Sequence, residues 1–381
     1  MMKVATQEKI NAILANMKNR GIDAVLISDF ETGRNKNLQY LSGQPSDAML
    51  ALFQDGFTAL IAWDMVVAKQ LSEVDKLVDV GEYNRSYRAA LVDVLKDKLG
   101  DKFKLEVLPT ESHLLALQLQ EAFPDGEIIC KGDGIANEFI KARAVKTPPE
   151  IAILKEGAAA TNTIIRKIKS FIESNRGLRE VDLAIFLETE FKKAGGEGPS
   201  FDTLVANVDR SGMIHQVPPA SDAQLDKPGL ALTDFGLMWK GYATDVTVPL
   251  LFYPLSVEQQ RIIDVNREAY DIAINMLEPG IPAHIVAEAA IGHIKSKGLN
   301  MPYGLGHGIG LEVHDPPRLA PKPTDPELLK FWQETPLEPG MVFTIEPGIT
   351  SDIGGSRIEN DVLMTASGPE ILTVSGPIEF R

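Results

Sequence analysis

Leu230-Ala231-Leu232-Thr233-Asp234-Phe235-Gly236 and Gly241-Tyr242-Ala243-Thr244-Asp245-Val246-Thr247-Val248 read as a strand, a turn and a return strand, each with one aspartate in apolar surroundings. With Trp239-Lys240 as a two-residue turn, Asp234 lies directly opposite Asp245. The two side chains then share a face, with Cβ atoms about 5 Å apart. Like charges so placed repel, and a cation between them is the simplest remedy. Taken alone, the stretch also reads as a hairpin with two solvent-facing aspartates.

The arrangement recurs later in the chain. Met341-Val342-Phe343-Thr344-Ile345-Glu346-Pro347-Gly348 leads into a glycine-rich turn around residues 352–355, and Arg357-Ile358-Glu359-Asn360-Asp361-Val362-Leu363 returns. A turn centred on residues 352–353 sets Glu346 facing Glu359, and surface decoration is again the alternative. Between the two pairs, Gly304-Leu305-Gly306-His307-Gly308-Ile309-Gly310-Leu311-Glu312-Val313-His314-Asp315 surrounds His307 with glycines. Glycines let a backbone pass close to something or take angles closed to other residues. No Lys-Ser/Thr follows, so a Walker phosphate loop fails. A lone histidine is more often structural than a ligand. Four carboxylates with one imidazole, however, make a hard, oxygen-rich site that suits two divalent ions such as Mn²⁺, Co²⁺ or Zn²⁺.

Helices flank these strands. One is expected over 150–174, since Pro148 and Pro149 deny the chain a helix until residue 150. A second spans about 178–194 and stops at Gly195-Gly196. Ser256 and Gln259 form a capping box for a third, to about 277, and a fourth runs from Pro282 to Lys297 with Gly298 as its stop. The first half of the chain alternates helix and strand. Ile10, Ile13, Leu14 and Met17 stand at helical spacing before Gly21, Ala24–Ile27 is an apolar strand, and residues 48–62 form a hairpin around Asp55-Gly56. Catalytic residue types do not concentrate there, and Lys146-Thr147-Pro148-Pro149-Glu150 is the expected boundary.

The wider composition narrows the class. A chain of 381 residues is long enough for two domains, and 44% apolar with 24% charged residues is the balance of a globular protein. No run of about 18 apolar residues exists, so no spanning helix and no membrane partner are expected. Residues 1–8 lack the apolar stretch of a secretory signal, and Cys130 is the sole cysteine, so a reducing, cytoplasmic setting is expected. A net charge of −15 argues against nucleic acid, whose phosphates need a basic face.

The second half of the chain resembles the pita-bread metallopeptidases: methionine aminopeptidase, aminopeptidase P and prolidase. The whole chain is closer to the creatinase–prolidase–aminopeptidase P branch. The resemblance rests on Thr233-Asp234-Phe235-Gly236, Asp245-Val246-Thr247, the run from Gly306 to Asp315, Phe343-Thr344-Ile345-Glu346-Pro347-Gly348 and Arg357-Ile358-Glu359. Spacing agrees too, with eleven residues from Asp to Asp and thirteen from Glu to Glu. The resemblance implies an α+β protein: an N-terminal creatinase-like α/β domain, residues 1–147, and a C-terminal pita-bread (duplicated α-β) metal-binding domain, residues 148–381. It implies that Asp234 chelates one metal, that Asp245 and Glu359 bridge two, and that His307 and Glu346 complete the second site. A water acidified by both metals would be the nucleophile, and Glu346 would shuttle its proton to the leaving amine. His215 would contact the substrate or the tetrahedral intermediate, and His314 would hydrogen-bond the substrate carbonyl. Arg357 and Thr247 would brace the metal carboxylates, with Arg357 also bordering the substrate. Two divalent ions are implied, manganese foremost and cobalt or zinc as alternatives. A homodimer is implied as well, with the N-terminal domain of one subunit walling the site of the other.

The sequence departs from that pattern in four places. His215 stands nineteen residues before Asp234, a longer gap than usual. Tyr303 occupies the position, four before His307, where proline-specific members carry a histidine; strand alternation would turn it into the cavity beside His307 as a specificity residue. Val248 replaces a usual arginine. The segment 316–335 is long and proline-rich, and either lines the pocket entrance or is a surface insertion. The expected activity is hydrolysis of a small peptide or amide, as by an Xaa-Pro dipeptidase or an aminopeptidase P. The alternatives are a hydrolase or lyase of a non-peptide metabolite, as in ectoine hydrolase and the dimethylsulfoniopropionate lyase of this fold, or a non-catalytic binding relative. Such relatives lose the metal ligands, whereas all five stand here.

Overall fold

Ile10, Ile13 and Met17 recur at helical spacing, and the helix Gln7–Arg20 buries all three. Thr6 caps its start, and Gly21, at φ +63°, ends it in the left-handed region. The same local logic runs through the computed structural model, which describes residues 4–330 and 332–381. The chain divides into two units, one ending at Ala142 and the other beginning at Arg143. Among the described residues, no helix is long and apolar enough to cross a membrane.

The first unit is built on a six-stranded sheet in the order Lys76–Asp79, Thr58–Ala62, Ala48–Phe53, Ala24–Asp29, Lys104–Val107, Glu127–Ile129. The hairpin around Asp55-Gly56 sits at its centre, with Leu50 opposite Leu60. The outer strands join in parallel, as helix-connected strands do. Leu91, Val94 and Leu95 of the helix Tyr87–Leu99 pack on Leu26, Ala51, Ile61 and Leu105 of the sheet.

In the second unit the first helix begins at Pro148, two residues earlier than the prolines suggested. The first turn of a helix has no intrahelical use for its N–H groups, so proline fits there. Glu150 closes the cap by accepting from the Thr147 N–H and hydroxyl, both at 2.8 Å. The unit then forms two similar halves. Helices Pro148–Ser174 and Glu180–Ala194 cover a four-stranded sheet containing Gly229–Phe235 and Val246–Phe252. Helices Val257–Met276 and Ala283–Ser296 cover a five-stranded sheet containing Gly306–Gly308, Val342–Ile345 and Asn360–Thr365.

Period-two alternation decides what each sheet turns inward. Ala231, Phe235, Val246 and Val248 pack under the first helix pair, so Asp234, Asp245 and Thr247 point away from it. Phe343, Ile345 and Val362 pack under the second pair, so Thr344, Glu346, Glu359 and Asp361 do the same. Leu230 and Leu251 of the first half join the core of the second, which identifies the intervening space as the place where both sets of carboxylates meet.

Candidate metal centre

The first hairpin turns at Lys240-Gly241, not at Trp239-Lys240. Both residues have positive φ, 50° and 82°, which a tight hairpin turn requires and glycine supplies without strain. Trp239 stays on its strand opposite Tyr242, its indole N–H donating to Glu156 at 3.0 Å. The register therefore pairs Asp234 with Thr247, and Asp245 lies two positions from the place opposite Asp234. A slip of one residue would turn Asp245 to the other face; a slip of two keeps it on the same one. The second pair follows the expected register. Ile345 pairs with Asn360 on one side and Gly348 with Arg357 on the other, which brackets Glu346 and Glu359 opposite each other. Asn266, on a covering helix, fixes that bend by donating to the Pro347 carbonyl at 2.6 Å.

His307 enters from the neighbouring strand. Its Nδ1 lies 3.0 Å from the Gly308 carbonyl, which can only accept, so Nδ1 carries the proton and Nε2 presents a lone pair. Nε2 faces Glu346 Oε1 at 3.3 Å and Asp245 Oδ2 at 3.6 Å. Asp245, His307 and Glu359 each offer one ligand atom, and the three atoms lie within 4.8 Å of one another. Arg357 is buried behind the cluster. Its Nε donates to Thr247 Oγ1 at 2.8 Å, its Nη2 to Asp234, and its Nη1 reaches the Ile214 carbonyl at 3.4 Å. Thr247 in turn donates to Glu359 at 2.6 Å.

The electrostatics are those of a site short of positive charge. Burial, and then repulsion from Glu359, Asp234 and Glu346, holds the Asp245 carboxyl well above the usual carboxylate range. Burial, and then repulsion from Glu346 and Asp234, raises Glu359 likewise, with Arg357 pulling the other way. Burial pushes Glu346 up to about 7, against the pull of Arg357. Burial lowers His307 to about 4. Asp234 Oδ1 is buried with no partner among the described residues. Acidic groups forced to hold protons, an imidazole lone pair aimed at them and an orphaned carboxylate oxygen are what a cation would resolve. Asp234, Asp245, His307, Glu346 and Glu359 thus fit a divalent-metal centre by their own chemistry.

The remaining sequence candidates fall around this cluster. His314 is exposed, its ring centroid 4.2 Å from that of His307. Shielding by its surroundings and the neighbouring His215 lower its proton affinity. His215 is exposed at the apex of a loop. Tyr303 is not on the His307 strand, which begins at Gly306, so strand alternation does not govern it. Its ring packs on the second core. Its hydroxyl fills the space above Gly348, where a Cβ would lie 1.7 Å away, and faces Arg357. Val248 is core. In the segment 316–335, residues 316–319 belong to a strand beside His307. Beyond them the segment packs on the helix Ala283–Ser296, where Lys322 N–H donates to Glu288 and Trp332 stacks edge-on to His284.

Two residues escaped the sequence reading. Asp361 is buried on the same face as Glu359, and its Oδ2 accepts the Asp245 N–H at 3.2 Å. The i, i+2 spacing from Glu359 was the available signal. Arg318 is exposed and sits directly opposite His307 in the ladder, hence on the same face, with no ion pair among the described residues. Sequence alone gave no pairing partner for it.

A duplicated α-β unit that buries a carboxylate–imidazole cluster between its halves defines a pita-bread metallohydrolase. Residues 152–366 match the model of metallopeptidase family M24, and residues 9–138 match the creatinase/prolidase N-terminal domain. The chain belongs to metallopeptidase family M24, whose members depend on divalent metals. It is 30% identical over 383 residues to an Xaa-Pro dipeptidase of Pyrococcus horikoshii, covering 96% of this chain and 97% of that one. The solved Xaa-Pro dipeptidase of Bacillus anthracis superposes with a TM-score of 0.83 at 28% identity, covering 98% and 99% of the two chains. The X-Pro aminopeptidase of Thermotoga maritima gives 0.81 at 27%, covering 97% and 99%.

Proposed function

We propose that this metallopeptidase is a dinuclear, manganese-dependent Xaa-Pro dipeptidase, with Asp234, Asp245, His307, Glu346 and Glu359 as the metal ligands. The observation that carries the reading is the convergence of Asp245 and Glu346 on the Nε2 lone pair of His307, with Asp234 and Glu359 buried in the same cluster. When bound, the ions would supply Lewis acidity for the attacking water and the amide carbonyl. The rest is the work of the chain. Glu346 takes the proton of the attacking water and returns it to the leaving amine, as a carboxylate beside His307 in the cluster is placed to do. His215 and His314 donate hydrogen bonds to the carbonyl oxygen as charge develops on it. Arg357 and Thr247 hold Asp234 and Glu359 in place.

Arg318 favours a dipeptide over a longer peptide. An exposed cation on the His307 face is placed to meet the free carboxylate of a substrate that ends one residue past the scissile bond. A cytoplasmic homodimer belongs to the same reading. A panel of Xaa-Pro dipeptides, longer Xaa-Pro peptides and cyclic amides tests it. Fastest turnover of a dipeptide is expected; turnover confined to a cyclic amide would point instead to a non-peptide metabolite.

A further inference from the structure

An ion pair outside the carboxylate cluster, between the buried Glu180 and the half-buried Arg210, spans the loop that carries His215. Glu180, the first residue of its helix, is 0% exposed, and both its oxygens are spent on one loop. Oε1 accepts the Asn207 N–H at 2.9 Å. Oε2 accepts the Ser221 N–H at 2.9 Å and the Ser221 hydroxyl at 2.5 Å, and also takes Nη1 of Arg210. Nη2 of Arg210 donates to the Pro218 carbonyl. One guanidinium thus ties the outgoing limb of the loop to the returning limb, and His215 stands between them.

The inner side of the loop is fixed to the metal-binding sheets. Ser211 donates to the Leu230 carbonyl at 2.7 Å and accepts the Gly355 N–H at 3.0 Å, while Arg357 reaches the Ile214 carbonyl. Three apex residues, Met213, His215 and Val217, are exposed, and Gln216 alone of residues 213–217 is buried, so most of the bonds that hold the apex lie in the limbs. A buried ion pair is a poor stabiliser compared with an apolar pair of the same size, because both charges lose their water. Its worth lies in the directed bonds it makes at both ends of the loop.

We propose that Glu180 and Arg210 are positioning residues that hold His215 over the substrate. This rests on the reading of His215 as a substrate-contacting residue. Arg210→Met is the principal variant, since Arg210 is less buried than Glu180 and its loss is the safer one for folding; Glu180→Gln is the second. Each is made alone and with His215→Ala, and all are assayed in the manganese-loaded enzyme on the substrate it cleaves fastest. Amide hydrogen exchange is followed over residues 207–221. The expected result is exchange accelerated about tenfold in that segment alone. Turnover should fall by about 10²-fold in kcat rather than KM, with no further loss when His215 is already alanine, and Arg210→Lys should recover part of it. Unchanged exchange, or the same loss of kcat with and without His215, would overturn the proposal. Full turnover by His215→Ala alone overturns the underlying reading of His215 instead, and is told apart because the single variant reveals it.

Discussion

Nε2 of His307 stands 3.3 Å from Oε1 of Glu346, with the imidazole proton committed to the other side of the ring at Gly308. A lone pair and a carboxylate oxygen so close repel unless a proton or a cation lies between them. In the metal-free protein the proton must serve. Glu346, pushed up to about 7, and Asp245 and Glu359, held well above the usual range, bind protons more tightly folded than unfolded. Such groups contribute stability that is complete below the unfolded carboxylate value of about 4.3 and is lost as pH rises through the folded value. The melting temperature of metal-stripped protein should therefore fall between about pH 5 and pH 7.5. Excess Mn²⁺ should raise it more at the upper end. A metal-induced shift that is equal at both pH values would refute this.

Glu346→Gln should keep the fold but lose several orders of magnitude in kcat, because an amide neither accepts the proton nor carries the ligand charge. His215→Ala and His314→Ala should each lower kcat by about 10²–10³-fold, the scale of a lost transition-state hydrogen bond. Near-normal steady-state kinetics in either histidine variant would remove that histidine from the mechanism.

Tyr303 joins the site through its hydroxyl. Burial pushes that hydroxyl's proton affinity up, with Arg357 opposing, so it stays neutral. Tyr303→His introduces a group able to carry charge, and should change the ranking of substrates more than the metal content. Tyr303→Phe isolates the hydroxyl. Equal losses on every substrate in both variants would make Tyr303 a packing residue.

Arg318→Ala should raise KM about tenfold for a dipeptide with a free carboxylate and leave the corresponding dipeptide amide unaffected. Equal effects on the two substrates would remove Arg318 from recognition of the carboxyl end.

The carboxylates could be read from the chain because strand alternation is local: Asp234, Asp245, Glu346 and Glu359 needed only a period of two and an apolar setting. Even the misplaced turn at Trp239-Lys240 preserved the face, since the true turn at Lys240-Gly241 shifts the register by two. Helix ends signalled by single residues, such as Gly21 and Ser256, were equally plain. Pro148 was misread because proline forbids the interior of a helix but suits its first turn. What stayed hidden depends on long-range pairing. Arg318 gains meaning only from its place opposite His307, Tyr303 only from its approach to Gly348, and Glu180 only from the loop it closes.

The measurement that bears most directly on the central claim is an equilibrium titration of metal-stripped protein with Mn²⁺, run on the wild type and on Asp245→Ala. Asp245 faces both His307 and the remaining carboxylates, so it should serve both ions. The wild type should take up two ions per chain, and Asp245→Ala should bind neither tightly and show no turnover. An Asp245→Ala protein with normal metal content and normal turnover would contradict the assignment of the metal centre.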